Sequence, residues 1–127
     1  MSTNTITIAA LPAIGAALAG GTFAGLTTLP NGTHHAVVLL PGKGDDLTWQ
    51  QAGEWAKEQG GVLPTRPVAA LLFANVKAQL QPEWHWTADE HSASFAWDCD
   101  FRYGDQGGNR KGYEGSAVAV RLIPLSA

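Results

Sequence analysis

The chain has 127 residues, with 8 basic and 11 acidic side chains, a formal net charge of -3 and 45% hydrophobic residues. A chain of this length forms one domain that buries about two-thirds of the surface its unfolded state exposes. The charge balance excludes a strongly basic nucleic-acid binder, because neutralising phosphates needs clustered Lys and Arg. Charged residues make up 15%, against roughly 25% in soluble domains, and the shortfall lies at one end: no Lys, Arg, Asp or Glu precedes Lys43.

Thr5-Ile6-Thr7-Ile8 alternates polar and apolar and predicts a short strand or arm. Ala9 to Leu26 is free of charge and long enough to raise a membrane span. It is mostly Ala and Gly and carries Pro12, so its apolar transfer energy is small and its helix propensity poor. No basic residue precedes Ala17-Leu18-Ala19, so the expectation is that no signal peptide exports the chain. Gly20 to Leu26 holds β-formers among glycines, Pro30-Asn31-Gly32 is a turn signal, and His35 to Leu40 is a β run, which together predict a hairpin over residues 21–40. Pro41 to Asp46 reads as a loop.

Thr48 and Gln51 have the spacing of a capping box, in which each side chain satisfies a backbone N–H near the other. The helix it starts places Ala52, Trp55, Ala56 and Gln59 on one face and ends at Gly60-Gly61. Leu63-Pro64 is an extended link. Thr65 then caps a second helix, with Pro67 in its first turn, to about Leu80, and Ala69, Leu72, Phe73 and Val76 form its buried stripe. Trp84 to Thr87 alternates, and Ser94 to Phe101 is a further strand whose period of two sets Phe95, Trp97, Cys99 and Phe101 against Ala96, Asp98 and Asp100. Gly104 to Gly112 reads as a polar turn and Ala117 to Ile123 as a closing strand. Strands, two helices and more strands predict an α+β fold with antiparallel sheets.

Cys99 is the single cysteine, so an internal disulfide and a Cys-pair metal or redox site are excluded, and a small half-buried core residue is the expectation. His34, His35, His85 and His91 lack metal-ligand spacing, and no metal site or cofactor is expected. Asp98-Cys99-Asp100-Phe101-Arg102 fails as a calcium loop because Arg102 occupies a ligand position. No P-loop, dinucleotide fingerprint or Gly-x-Ser-x-Gly is present, and no nucleophile, base and orienter can be grouped, so no enzyme is expected.

Five pieces occur in a characteristic order: Thr48-Trp49-Gln50-Gln51-Ala52, Gly60-Gly61-Val62-Leu63-Pro64-Thr65-Arg66, Trp84-His85-Trp86-Thr87, Ala96-Trp97-Asp98-Cys99-Asp100-Phe101-Arg102-Tyr103-Gly104 and Ala119-Val120-Arg121. In that order they resemble a bacterial and phage C-type-lectin-like domain family that includes the C-terminal domain of a collagen-like adhesin. The resemblance spans about residues 14 to 124. It implies a C-type-lectin-like fold over residues 14–127, preceded by an arm at residues 1–13, with Thr48, Trp49, Pro64, Thr65, Arg66, Trp86, Trp97, Gly104 and Arg121 as structural motif residues. Many relatives carry an acid where this chain has Val68, so a second capping box is incomplete here. The family is similar in fold to formylglycine-generating enzymes, whose copper site needs two cysteines; this chain has one, so that activity does not carry over. Gln81-Pro82-Glu83 and Trp97-Asp98 echo the calcium and sugar motifs of C-type lectins without supplying the oxygen ligands calcium requires.

The implied function is a non-enzymatic recognition module of phage or prophage origin, whose loops at Asp89 to Ser94 and Gly104 to Gly115 bind a glycan or protein on a cell surface. The candidate ligand-binding residues are Asp89, His91, Asp105, Gln106, Asn109, Arg110, Lys111 and Tyr113. The alternative is a small phage protein that binds a host intracellular protein. Both place the chain in the host cytoplasm or on a virion, with neither nucleic acid nor membrane as partner. Arg66 is expected to be free to bind a carboxylate or carbonyls. The uncharged arm has little of its own chain to bury against, and is expected to pack on a neighbouring copy in a homo-oligomer.

Overall fold

The computed structural model describes residues 5–126, so Met1 to Asn4 of the arm and Ala127 lie outside the described residues. Strands β1 (Ile6–Thr7), β2 (Ala17–Leu18), β3 (Gly21–Thr28), β4 (His34–Leu39) and β5 (Gly44–Leu47) precede helices α1 (Trp49–Glu58) and α2 (Arg66–Val76). Strands β6 (Trp84–Glu90), β7 (Phe95–Asp100), β8 (Gln106–Arg110), β9 (Gly115–Ala117) and β10 (Val120–Ser126) follow. They form two five-stranded sheets, ordered β1-β10-β4-β3-β2 and β5-β9-β6-β7-β8. The architecture is α+β.

The predicted hairpin is β3 and β4, paired antiparallel from Thr22 opposite Leu39 to Thr28 opposite His34. The unbroken apolar run in β4 has a physical reason: both of its faces are covered. Ala36, Val38 and Leu40 join a core cluster with Ala52 and Ala56 of α1, while Val37 and Leu39 join another with Val68, Ala69, Leu72 and Val76 of α2. On β7 the same alternation sends Ala96 to the first cluster and Cys99 and Phe101 to the second.

Both helix starts are as read. Thr48 and Gln51 form the reciprocal capping box, and Thr65 accepts a hydrogen bond from the Val68 N–H with no returning partner. The buried face of α1 is Ala52 and Ala56, with Trp55 half-buried and Gln59 exposed. On α2 Val68 is buried and Phe73 only partly so. The helix ends at Val76 and continues as a 3-10 turn, Lys77–Gln79.

Several expectations are corrected. The segment read as a loop contains β5, which pairs with β9. The polar turn from Gly104 contains β8, a strand in register with β7 from Phe95 opposite Arg110 to Cys99 opposite Gln106. Its polar, Gly-rich sequence fits an edge position, where one ladder suffices and no side chain is needed to cover a neighbour. The single closing strand divides into β9 and β10, because Val118 and Ala119 carry the chain from one sheet to the other. The sheets are not wholly antiparallel: β1 pairs with β10, and β6 with β9, in parallel. Part of the described arm packs on its own chain, although Ile8 stays exposed. Ile6 and Thr7 lie beside Leu125 and Ser126, and Ile6 and Leu11 pack on the first core cluster.

Leu-Pro-Thr-Arg is a stitched joint. Val62 and Val120 exchange both backbone hydrogen bonds, at 2.9 and 2.8 Å, and the Ala88 N–H donates to Pro64 C=O at 2.8 Å. Gly61 must lack a side chain, since a Cβ there would lie 2.4 Å from the Val120 carbonyl oxygen. Arg121 donates from Nη1 to the Ala19 carbonyl at 2.8 Å.

Gly104 has φ of +85°, and a Cβ on it would lie 2.6 Å from the Phe73 ring. Gly104→Ala meets the left-handed penalty and the ring together, and is expected to destabilise the fold by about 1–3 kcal/mol, read as a lower urea midpoint with unchanged slope.

Candidate functional site

Two tryptophans bind the junction between β5 and α1 to strand β6. Trp86, fully buried, donates its indole N–H to the Leu47 carbonyl at 2.8 Å. Trp49 donates in the other direction, to the Thr87 carbonyl at 2.9 Å. The backbone N–H of Trp49 donates to Lys111 C=O at 3.0 Å, and the Lys111 ammonium lies 4.9 Å from the Trp49 ring centroid. That ammonium also donates to the Ala93 carbonyl at 2.9 Å and pairs with the Glu90 carboxylate.

Beside this junction runs an open groove of about 970 Å³, with α1 on one side and Gly61 to Leu63 on the other. Trp49, Gly53, Val62, Leu63 and Ala88 supply its apolar lining, and Glu54, Lys57 and Lys111 supply its charges. Val62 is 52% exposed. Gly53 occupies the interior of α1, where glycine costs about 0.5–1 kcal/mol relative to alanine, yet a Cβ there would meet nothing within 4 Å. Among the described residues no contact accounts for that glycine.

The candidate residues divide between internal and outward roles. The Asp89 carboxylate accepts the backbone N–H of Arg66 at 2.7 Å and so serves the start of α2. Gln106 clasps Arg66 at both ends, accepting from Nε at 2.9 Å and donating to the Arg66 carbonyl at 2.9 Å. The Arg66 guanidinium lies 3.6 Å from the Trp97 ring centroid. Arg66, expected to be free, therefore binds an amide and an aromatic face. Asn109 donates to Asp98 at 3.1 Å, and Lys111 is held as described. His91, Asp105, Arg110 and Tyr113 are exposed. His91 packs 4.7 Å from Trp97 and Arg110 lies 5.5 Å from Phe95, so the hairpin face is an aromatic row dressed with cations. Of the eight, only Lys111 lines the groove, where it meets Thr48 and Trp49 of the structural set. Gly53, Lys57 and Val62 escaped the sequence reading, and the available signal was a glycine inside an otherwise good helix.

On the far side of β6, Glu83 receives the Ser116 hydroxyl and the Lys43 ammonium, which hold its carboxyl below the usual range. That occupies the carboxylate of the Gln-Pro-Glu echo. Arg102 likewise holds the Asp100 carboxyl down, whereas burial pushes Asp98 up. His85 is fully buried against Phe101, at 4.7 Å, with Nδ1 2.9 Å from the Glu83 carbonyl and no partner for Nε2 among the described residues. Among the described residues no three His, Cys, Asp or Glu side chains converge as a metal site, and no helix is long and apolar enough to cross a membrane.

No protein-family model matches the chain, and no curated protein sequence matches it either.

Two outcomes follow from the electrostatics. Burial pushes the Cys99 thiol up to about 11, which leaves about one thiolate in a thousand at pH ~8. Cys99 is expected to stay silent to Ellman's reagent in the native protein and to react on unfolding in urea. Burial lowers the His85 pKa from its ordinary 6.5, so below that value the unfolded chain binds a proton the folded chain refuses, and stability falls with pH. The slope approaches about 1.4 kcal/mol per pH unit between the unfolded and folded values. Urea melts from pH ~7.5 to pH ~5.5 should show this loss in the native sequence and less of it in His85→Phe.

Proposed function

We propose that the chain is a non-enzymatic recognition module built on a C-type-lectin-like scaffold, which binds a segment of another protein in the groove beside Trp49. The observation that carries this reading is the groove itself, open, lined mainly by carbon and walled by rigid elements. Its size is within the range of about 300–1,000 Å³ typical of ligand sites. An apolar lining with an indole favours a bulky apolar side chain over a sugar, whose hydroxyls would lose water without gaining partners.

Charge narrows the ligand further. Of the charged groups that border the groove, Lys111 is paired with Glu90, whereas Lys57, which lines it with Glu54, makes no ion pair among the described residues. An acidic residue next to the apolar anchor fits that rim. The segment is the kind a surface protein or a host protein can present, and the cell-surface reading is preferred because the resemblance is to adhesin and tail-fibre domains. The glycine in α1 supports the same conclusion: a side chain at Gly53 would project into the space the ligand takes.

Linear peptides selected from a displayed random library on the immobilised protein are expected to converge on a bulky apolar residue beside Asp or Glu. Gly53→Ala is expected to stabilise the fold by about 0.5–1 kcal/mol. Gly53→Leu should remain folded and bind the selected peptides at least about tenfold more weakly, about 1.4 kcal/mol. Failure of any peptide to enrich, or binding to a glycan array that Gly53→Leu leaves unchanged, would overturn the reading.

A further inference from the structure

Strand β8 is the outer edge of its sheet, with β7 on one side only. Two hydrogen bonds set the phase of that pairing: the Asp100 N–H donates to Asp105 C=O at 2.9 Å and the Lys111 N–H to Ser94 C=O at 3.0 Å. In an antiparallel ladder the bonded pairs alternate, so Gly107 and Asn109 turn their backbone groups towards β7. Gln106, Gly108 and Arg110 then turn theirs outward. Arg110 is already provided for, since its N–H donates to the Asn109 side chain at 3.1 Å and its carbonyl accepts from the Tyr113 N–H at 3.0 Å. The N–H and C=O of Gln106 and Gly108 remain without a partner among the described residues.

We infer that β8 is a dimerisation edge, taking the same strand of a second copy in antiparallel register about a two-fold axis at Gly107. This inference rests on the strand edge, not on the groove. Four open groups on two alternate residues define the register: Gln106 faces the partner's Gly108 and Gly108 faces the partner's Gln106, so all four groups are satisfied at once. A register centred on Gly108 would instead place Gln106 opposite the partner's Arg110, whose groups are taken.

The same register places Gly107 against the partner's Gly107 as a non-hydrogen-bonded pair, the close type with Cα atoms about 4.5 Å apart. Glycine weakens a strand interior, and a Cβ on Gly107 would meet nothing within 4 Å of its own chain. A two-fold axis at that residue supplies the reason the isolated chain lacks. Charge does not oppose the register, since exposed Asp105 falls opposite the partner's neutral Asn109, twice by symmetry. The product is a continuous ten-stranded sheet that carries two copies of every surface feature.

Sedimentation over micromolar to millimolar concentration tests this, with two variants. The native protein is expected to pass from monomer to dimer. Gly107→Lys has room in the monomer and sets like charges face to face at the axis, so its transition should move to about tenfold higher concentration or vanish. Under mild oxidation Gly107→Cys should give a covalent dimer at least about tenfold faster than Asp105→Cys, because only residue 107 lies within disulfide reach of its own copy. A protein that stays monomeric to millimolar concentration overturns the inference, as does a dimer unaffected by Gly107→Lys or equal cross-linking at positions 105 and 107.

Discussion

The pair of crossing indole hydrogen bonds, from Trp49 to the Thr87 carbonyl and from Trp86 to the Leu47 carbonyl, is the constraint on which the rest of the molecule depends. A buried indole N–H without an acceptor costs as much as a lost hydrogen bond, so each ring can sit only where a carbonyl meets it. Leu47 and Thr87 provide those carbonyls from opposite sides of the junction. The pair thereby sets how far α1 stands from β6, and the space left beside Trp49 is the groove. Trp84 completes the arrangement edge-on to Trp86, at 5.0 Å, and needs Gly115 beneath it, where a Cβ would lie 2.2 Å from its ring.

A second constraint is close backbone approach around Gly61 to Arg66. The bonds between Val62 and Val120 tie this segment to β10, and Ala88 ties it to β6. The start of α2 is thus positioned from both sheets. Arg66, placed there, has its backbone N–H on Asp89, its guanidinium on Trp97 and its Nε on Gln106. One residue thereby joins a helix to both the β6–β7 hairpin and β8. Arg suits this role where Lys would not, because a planar guanidinium stacks and donates in its plane at the same time.

Because the polar residues of the loops take part in these contacts, the open surface lies elsewhere than composition suggests. Asp89, Gln106 and Asn109 hold secondary structure together, and Lys111 joins α1 to the β6–β7 turn. The open features are instead an apolar groove and a bare strand edge, each marked by a glycine that its own chain does not explain. A Cβ at Gly53 or Gly107 would meet nothing within 4 Å among the described residues. A dimer through β8 would present two grooves on one rigid sheet, and paired sites of that kind gain avidity on a multivalent surface without any new contact.

Local chemistry was legible in the sequence. The capping box at Thr48 and Gln51, the cap at Thr65, the hairpin of β3 and β4 and the apolar stripe of α2 depend on neighbours within a few residues, and side-chain pattern reports those directly. Cys99, as a lone thiol in an aromatic strand, was legible as core for the same reason. Strands β5 and β8 were not, because their sequences, Gly-Asp-Asp-Leu and Gln-Gly-Gly-Asn-Arg, have no strand propensity and pair only because β9 and β7 lie beside them. The contact of the arm with its own chain was hidden for a related reason: Ile6 and Thr7 pair with β10, more than a hundred residues away. The order of patterned segments determined the α+β class, and composition a charge-free opening third. Which polar residues would be consumed by the fold, and where a groove and an open edge would remain, was decided only when distant segments met, since hydrogen-bond partners and free volume belong to the assembled structure and not to any stretch of chain.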